Sequence, residues 1–484
     1  MTTFRWRALI GITGFGLALR LLLLGNAQLL WYDEAGSLWM ATLPWERMIA
    51  ATAGDTHPPL YIALLWAWLR IAGDSAFALR LPSALASALC IPLTYAIARQ
   101  LRLTGPVCLA AAFLAAVLPA QIYYAQEARM YSLLTLEINL ALYAALSRRW
   151  PLFGLALAAG YWTHNYSLLF AAPLNLVALA GLWRAPDRRW NLIGWLWANA
   201  IAFGAWLPWL SVLAGQMRDV AAGYWLQPVT PGAVLYALYM IVWAFTPGPA
   251  LQAHAAWLVF GALAFAIWRA WREPGVRVVC GYLALAVSVP VGVSLAWSPV
   301  LLFRGLLPAS IPICIVFAWA FVSGLSTRRQ AIIQLLILPA LLMADVLYYL
   351  QVPDQKGDAA IFQYVDFRPG DILYHANDGS LQIARAYAPT WPHYELPATW
   401  RDVGALSPAT RAAYGVQIAP LESLAWRRAW LIYAANPMTS AAEDQAVADL
   451  LEQYVYETIY ERRDSMTHQA VYLIWNYRLG PGVP

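Results

Sequence analysis

Charge is scarce in this chain, and one kind of charge is nearly missing. Only 12% of the 484 residues are charged and 61% are hydrophobic, which excludes an ordinary soluble domain for most of the length. Lys356 is the single lysine, so the formal net charge of +5 comes from arginine. Those arginines sit in short connections between apolar runs, a pattern that reports membrane topology and not a nucleic-acid partner. The four cysteines, Cys90, Cys108, Cys280 and Cys314, lie inside apolar segments, and none follows residue 314. A disulfide framework and a cysteine zinc site are therefore not implied. No internal repeat or low-complexity tract is present. Arg5 and Arg7 before an apolar stretch resemble a signal sequence, but Arg20 and the polar Asn26 to Glu34 follow with no small-residue cleavage site. The first run reads as an uncleaved span.

Long apolar runs are what the chain has instead. A spanning helix needs roughly 20 mostly apolar residues. Spans are expected near residues 8–25, 76–98, 106–123, 128–146, 150–163, 165–183, 190–213, 252–268, 278–297, 306–324 and 331–350, about eleven in all. Arginines fall in alternate connections: Arg5 and Arg7, Arg99 and Arg102, Arg148 and Arg149, Arg184 to Arg189, Arg269 to Arg277, and Arg328 and Arg329. By the positive-inside rule these face the cytoplasm. The parity requires Leu60 to Leu69 and Ala233 to Phe245 to lie along the surface or re-enter. Both are rich in leucine and aromatic residues, as interfacial helices are. The loop 26–75, the turn Gln126-Glu127-Ala128-Arg129, His164, Arg304 and everything after 350 then share the opposite face.

After Gln351 polar residues become frequent, and turn signals appear at Arg368-Pro369-Gly370-Asp371 and Asn377-Asp378-Gly379. Strands are expected at Ile372–His375, Trp430–Tyr433, Val455–Tyr460 and Ala470–Trp475, with helices at Asp358–Val365 and Ala441–Gln453. The expected architecture is an α-helical polytopic membrane protein with periplasmic juxtamembrane helices over 1–350, and a soluble extracytoplasmic α/β domain over 351–484. That domain carries no nucleotide motif, Gly-rich phosphate loop or metal-spaced His/Cys cluster.

Ionisable groups at the mouth of a hydrophobic span are expensive beside lipid and persist mainly where they do chemistry or hold a substrate. Asp33-Glu34 follows the first apolar run, and His57-Pro58-Pro59-Leu60 closes the same loop region. Gln126-Glu127-Ala128-Arg129-Met130-Tyr131 opens the fourth span, and Thr163-His164-Asn165-Tyr166 lies on the same face. Together, in this order, these four segments resemble the C-type glycosyltransferases, and within them the protein O-mannosyltransferase and aminoarabinose transferase superfamily. The likeness runs through roughly the first 330 residues in span layout.

That resemblance implies a polyprenyl-phosphate sugar donor, an acceptor (protein, lipid or glycan) on the extracytoplasmic side, and inverting transfer in a multi-pass cell (inner) membrane enzyme. Histidine before Pro58, as in the mannosyltransferases, favours a hexose donor over the aminoarabinose enzymes, which tend to have lysine there. No metal site is read from the sequence, and a divalent ion stays open as cofactor. Transfer to a hydroxyl needs a base for the acceptor's proton, a task for a carboxylate poised by its neighbours. Asp33 is the first choice, with Glu34 beside it. Inversion in one in-line displacement contrasts with the two-step covalent route. The departing phosphate gathers negative charge, so cations should surround it. Arg129 and Arg304 are the candidates, with His57 a third. Glu127, Tyr131 and His164 are expected to line the substrate.

Each residue also has a purely structural reading. Asp33 and Glu34 would serve to start a surface helix, Glu127 and Arg129 would pair at a helix end, and the two histidines would bond to backbone. Arg20 and Glu137, inside spans, read as interhelical pairs. A lipid transporter is the rival class, but transporters carry matching halves and midplane charges, whereas here the charges gather at one face. The third reading is a polytopic scaffold.

Overall fold

The computed structural model of the chain describes residues 2–25, 30–183, 187–222, 226, 228–244, 249–323, 341–350, 364–376, 378–388, 390–397, 417–435, 441–463 and 468–476. The described residues are mostly helical up to 350 and mixed beyond. The order is α1 (Thr2–Leu21), α2 (Tyr32–Thr42), α3 (Trp45–Gly54), α4 (Leu60–Ala72), α5 (Ala76–Gln100), α6 (Gly105–Val117), α7 (Pro119–Ala125) and α8 (Tyr131–Ser147). There follow α9 (Trp150–Thr163), α10 (Ser167–Leu182), α11 (Arg188–Trp206), α12 (Leu210–Ala222), α13 (Pro231–Trp243), α14 (Pro249–Ala270), α15 (Pro274–Ala296), α16 (Ser310–Val322) and α17 (Leu341–Leu350).

Among the described residues, four helices are long and apolar enough to cross a membrane: Ala76–Gln100, Arg188–Arg218, Pro274–Ala296 and Arg304–Val322. A fifth forms if α6 and α7, bent by 50°, are one span. The bend falls at Leu118-Pro119, where proline cannot donate into the helical ladder. Other expected spans appear as shorter apolar helices, among them α8 and α10, and residues 331–340 lie outside the described set. The two segments expected along the surface are α4 and α13, of 13 residues each. At 1.5 Å per residue each covers about 20 Å, short of a hydrocarbon core of about 30 Å.

Small residues let the helices approach closely, as packing without a hydrophobic drive between helices requires. Ala111, Ala112, Ala115 and Ala116 of α6 are buried, and a Cβ on Gly16 of α1 would collide with Ile91 and Ala116. Arg20, read as interhelical, is fully buried and donates to Ser87 Oγ and to the carbonyls of Gly16, Ala115 and Ala116. Glu137 accepts from Thr163 Oγ1 at 2.9 Å, linking α8 to α9.

Beyond the helical region stand β1 (Ile372–His375), α18 (Asp378–Tyr387), β2 (His393–Glu395), β3 (Gln417–Ile418), β4 (Arg428–Ala435), α19 (Ala441–Glu452), β5 (Val455–Arg463) and β6 (His468–Trp475). The strands form one six-stranded sheet in the order β3-β2-β1-β4-β6-β5. Pairing is parallel from β3 to β4 and antiparallel through β6 and β5. Side chains alternate between the faces: Ile372, Tyr374, Leu431 and Tyr433 pack with Val447 and Leu450 of α19, and Leu373, Trp430 and Ile432 pack with Ala384. The four expected strands are present, β1 with the expected bounds and the other three longer, and α19 lies where a helix was expected. The Asn377-Asp378-Gly379 turn signal is corrected, because Asp378 and Gly379 open α18, whose buried face outweighs local turn preference. Of the helix expected over 358–365, only 364 and 365 are described.

The free face of α18 lies on α2. Gln382 Nε2 donates to Tyr32 Oη at 3.3 Å, the Arg385 guanidinium sits 5.0 Å from the Trp39 ring centre, and Ile383 joins Ala35 and Leu38 in one apolar cluster. A Cβ on Gly36 would strike Gln382.

A relay of neutral imidazoles holds β1, β2 and α18 together. The Ala388 carbonyl can only accept, so His393 Nε2 donates to it at 2.7 Å. His393 Nδ1 must then accept from His375 Nε2 (3.1 Å), and His375 Nδ1 from Ser380 Oγ (3.2 Å). Burial disfavours an added proton and pushes His393 down to about 4 from the usual 6.5. Between those values the unfolded chain binds more protons, so stability present above pH 6.5 is lost as pH falls toward 4. The loss is expected to be on the order of 3 kcal/mol. Melting curves from pH 7.5 to 4.5 should show it in wild type, and His393→Gln should lose that share while buried His375 keeps its own; a flat wild-type series would contradict the relay.

Candidate functional site

Asp33 and Glu34 open α2, and at 3.6 residues per turn neighbouring side chains point about 100° apart. They enter different surroundings. Glu34 is fully buried: Arg80 of α5 donates Nε to Oε1 and Nη2 to Oε2, each at 2.7 Å, and the Ala128 N–H donates to Oε1 at 3.0 Å. Arg80 also reaches the Leu24 carbonyl at 3.2 Å. Glu34, expected as a second catalytic carboxylate, is thus tied into a clamp joining α2, α5 and the turn before α8. Both Glu34 carboxylate oxygens are engaged by these structural donors, unlike those of its neighbour Asp33.

Asp33 faces the other way. Arg304, in the 3₁₀ turn Arg304–Ala309 that leads into α16, donates Nη1 directly to Asp33 Oδ2. Arg129 Nε stands 3.9 Å from the same oxygen, and Arg129 Nη1 reaches the Asp33 carbonyl and Ser37 Oγ at 3.4 Å each. Burial alone would raise the Asp33 carboxyl, but Arg129 and Arg304 outweigh it and hold it below the usual carboxylate range. The side chain keeps 14% exposure.

The turn carrying Arg129 is pinned from α5. Ser83 Oγ donates to the Arg129 carbonyl at 3.1 Å, and the Ala128 N–H is held by Glu34. His57, in the loop between α3 and α4, presents Nε2 to Arg129 Nη2 at 3.1 Å. Guanidinium only donates, so Nε2 accepts and His57 is neutral. Burial and then Arg129 keep its pKa below the ordinary value. The expectation of His57 as a third cation is corrected: it orients Arg129 as an acceptor.

The His164 ring, between α9 and α10, lies 4.7 Å from that of His57 with the planes tilted by 45°, and 5.7 Å from the ring of Tyr131, the first residue of α8. Its Nδ1 accepts from the Tyr166 N–H at 3.0 Å, which places the proton on Nε2. His57 Nδ1 and His164 Nε2 have no hydrogen-bond partner among the described residues. Tyr131 turns its ring toward Arg304, whose guanidinium carbon lies 5.6 Å from the centroid. Glu127 is buried beside this group and bonds with Tyr123. The neighbouring Asn165 ties the two loops together, donating Nδ2 to the Thr56 carbonyl at 2.9 Å. Gly305 is required beside Arg304, because a Cβ there would enter the Tyr166 ring.

The fold therefore brings Asp33, His57, Arg129, Tyr131, His164 and Arg304 together and diverts Glu34. Sequence reasoning missed Arg80, Ser37, Ser83 and Asp55. Burial pushes the Asp55 carboxyl above the usual range, against the pull of Arg129. Arg80 had a signal, being an arginine inside an apolar run; Ser37, one turn after Asp33, had none. Among the described residues no three His, Cys, Asp or Glu side chains are placed to hold a metal ion. A carboxylate between two guanidiniums at the end of a helical bundle can accept a proton, and its cations can bind an anion.

Residues 56–211 match the model of the dolichyl-phosphate-mannose-protein mannosyltransferase family. That stretch contains His57, Arg129, Tyr131 and His164; Asp33 and Arg304 lie outside it. No curated protein sequence matches the chain. Among solved structures, ArnT from Cupriavidus metallidurans in the apo state is similar at a TM-score of 0.63 with 14% identity, over 97% of this chain and 98% of that one. The same protein bound to undecaprenyl phosphate gives 0.60 and 14% over 96% and 97%. The archaeal oligosaccharyltransferase AglB from Archaeoglobus fulgidus, in complex with an inhibitory peptide and a dolichol-phosphate, gives 0.51 with 12% identity over 89% of this chain and 69% of that one.

Proposed function

We infer that this chain, by fold a member of the C-type glycosyltransferase superfamily, is a membrane glycosyltransferase that moves a hexose from a polyprenyl-phosphate donor to a hydroxyl on the extracytoplasmic face, with inversion. The observation that carries the reading is Asp33 set between Arg129 and Arg304. Asp33 takes the proton of the acceptor hydroxyl as its oxygen bonds to the anomeric carbon. The bond from that carbon to the phosphate oxygen breaks, and its electron pair leaves on the polyprenyl phosphate. Arg129 and Arg304 stabilise the charge that grows there, an interaction stronger in the transition state than in the ground state. His57 orients Arg129. His164 and Tyr131 border the same space, where the His164 Nε2–H is available to a sugar hydroxyl. Glu127 acts on Arg304 through its field. Glu34 holds the scaffold. The acceptor is a protein, lipid or glycan hydroxyl, and the enzyme works in the cell membrane with its first helix entering from the cytoplasm.

Purified protein in lipid nanodiscs, given a polyprenyl-phosphate hexose, is expected to transfer or slowly hydrolyse it. Neither reaction across a set of such donors would refute the reading. Arg129→Ala should lose both donor affinity and turnover, while Arg129→Lys keeps more, because ammonium supplies the charge without the paired planar donors. A folded Ala variant with unchanged affinity and rate would reduce Arg129 to a structural partner of Asp33. For sidedness, reporters fused after Arg149 and after Gln351 should report opposite compartments; matching signals would undo the single-face arrangement.

A further inference from the structure

Two arginines and one carboxylate share the centre of the site, and the carboxylate is the group read above as the base. Arg304 gives Nη1 to Asp33 Oδ2, and Arg129 Nε stands 3.9 Å from the same oxygen. The remaining contacts of Arg129 described above go to neutral acceptors: Ser37 Oγ, the Asp33 carbonyl and His57 Nε2. A phosphate monoester asks for the same donors, because guanidinium matches carboxylate and phosphate oxygens with one planar fork. A phosphate seated against these two guanidiniums competes with the Asp33 carboxylate for the face that Arg304 Nη1 and Arg129 Nε turn to it.

We propose that the donor's phosphate displaces Asp33 from Arg304 and Arg129, so that the carboxylate is an internal counter-ion in the empty enzyme and becomes a free base only when the leaving group is seated. This inference rests on the glycosyltransferase reading and adds an order of events to it. With the guanidiniums in place, Asp33 is a weak base, held below the usual range against its burial. Once they turn to phosphate, burial is left to raise it, and the acceptor's proton has a better destination. Polyprenyl phosphate left behind after transfer competes with Asp33 in the same way until it departs.

The test is affinity for undecaprenyl phosphate without sugar, measured in nanodiscs for wild type, Asp33→Asn and Asp33→Ser, with melting temperatures alongside. Removing the competing anion should tighten binding about tenfold in both variants although transfer is lost, since the like charge a few ångströms away is gone. The Ser variant carries the measurement if the Asn variant misfolds. Unchanged or weaker binding in a folded variant, with wild type still transferring hexose, overturns the exchange and leaves the functional reading in place. A wild type that neither binds the lipid phosphate nor transfers sugar overturns both.

Discussion

Replacing Asp33 with asparagine is expected to slow sugar transfer by ~10²- to 10⁴-fold, the usual contribution of a positioned general base, while the chain still folds. The amide keeps the shape of the carboxylate and can still meet Arg304 through its oxygen, but it takes no proton at neutral pH. Rate constants under saturating donor separate this from a binding defect, because the loss should lie in turnover. If the folded variant retains wild-type turnover, the base is elsewhere. Asp55 is then the carboxylate to examine, since burial makes it more basic than usual and Arg129 lies within its electrostatic reach.

Glu34→Ala is expected to act on stability first. The substitution strands Arg80, of which only 1% is exposed, and takes the acceptor from the Ala128 N–H. Breaking one side of a buried pair typically costs about 3–5 kcal/mol, because a desolvated charge is left uncompensated. Activity should fall as well, through the turn that positions Arg129. The double variant Glu34→Leu with Arg80→Met removes both charges, so it should melt higher than Glu34→Ala alone, since apolar replacements of buried pairs are often tolerated. A Glu34→Ala protein that melts like wild type would show that the clamp carries no load; one that melts like wild type yet transfers nothing would return Glu34 to the chemistry.

Much of this site was legible because membrane proteins make ionisable groups conspicuous. Asp33, His57, Arg129, His164 and Arg304 stood out as polar groups at span mouths, and the arginine pattern placed them on one face. The division of labour between Asp33 and Glu34 was not legible. Adjacent acids read alike, and their roles separate only when the turn of α2 aims one at Arg80 and the other at Arg304. Glu34 and Arg80 are 46 residues apart, and no local pattern encodes that meeting. The state of His57 was equally hidden: a histidine read as a phosphate ligand suggests a cation, but the Arg129 guanidinium admits only an acceptor there. In the C-terminal region, alternation gave away the long strands, whereas β2 and β3, of 3 and 2 residues, are too short to show a period.

The docking of α18 on α2 means that the covalent boundary near residue 350 is not a mechanical one. The helix bearing Asp33 has bundle side chains on one flank and Gln382, Ile383 and Arg385 on the other. A load on the sheet domain is therefore passed to the same short helix that carries Asp33. A displacement of the sheet and a change in the aim of the Asp33 side chain are thereby two ends of one lever, with Gly36 as a point where the arms touch.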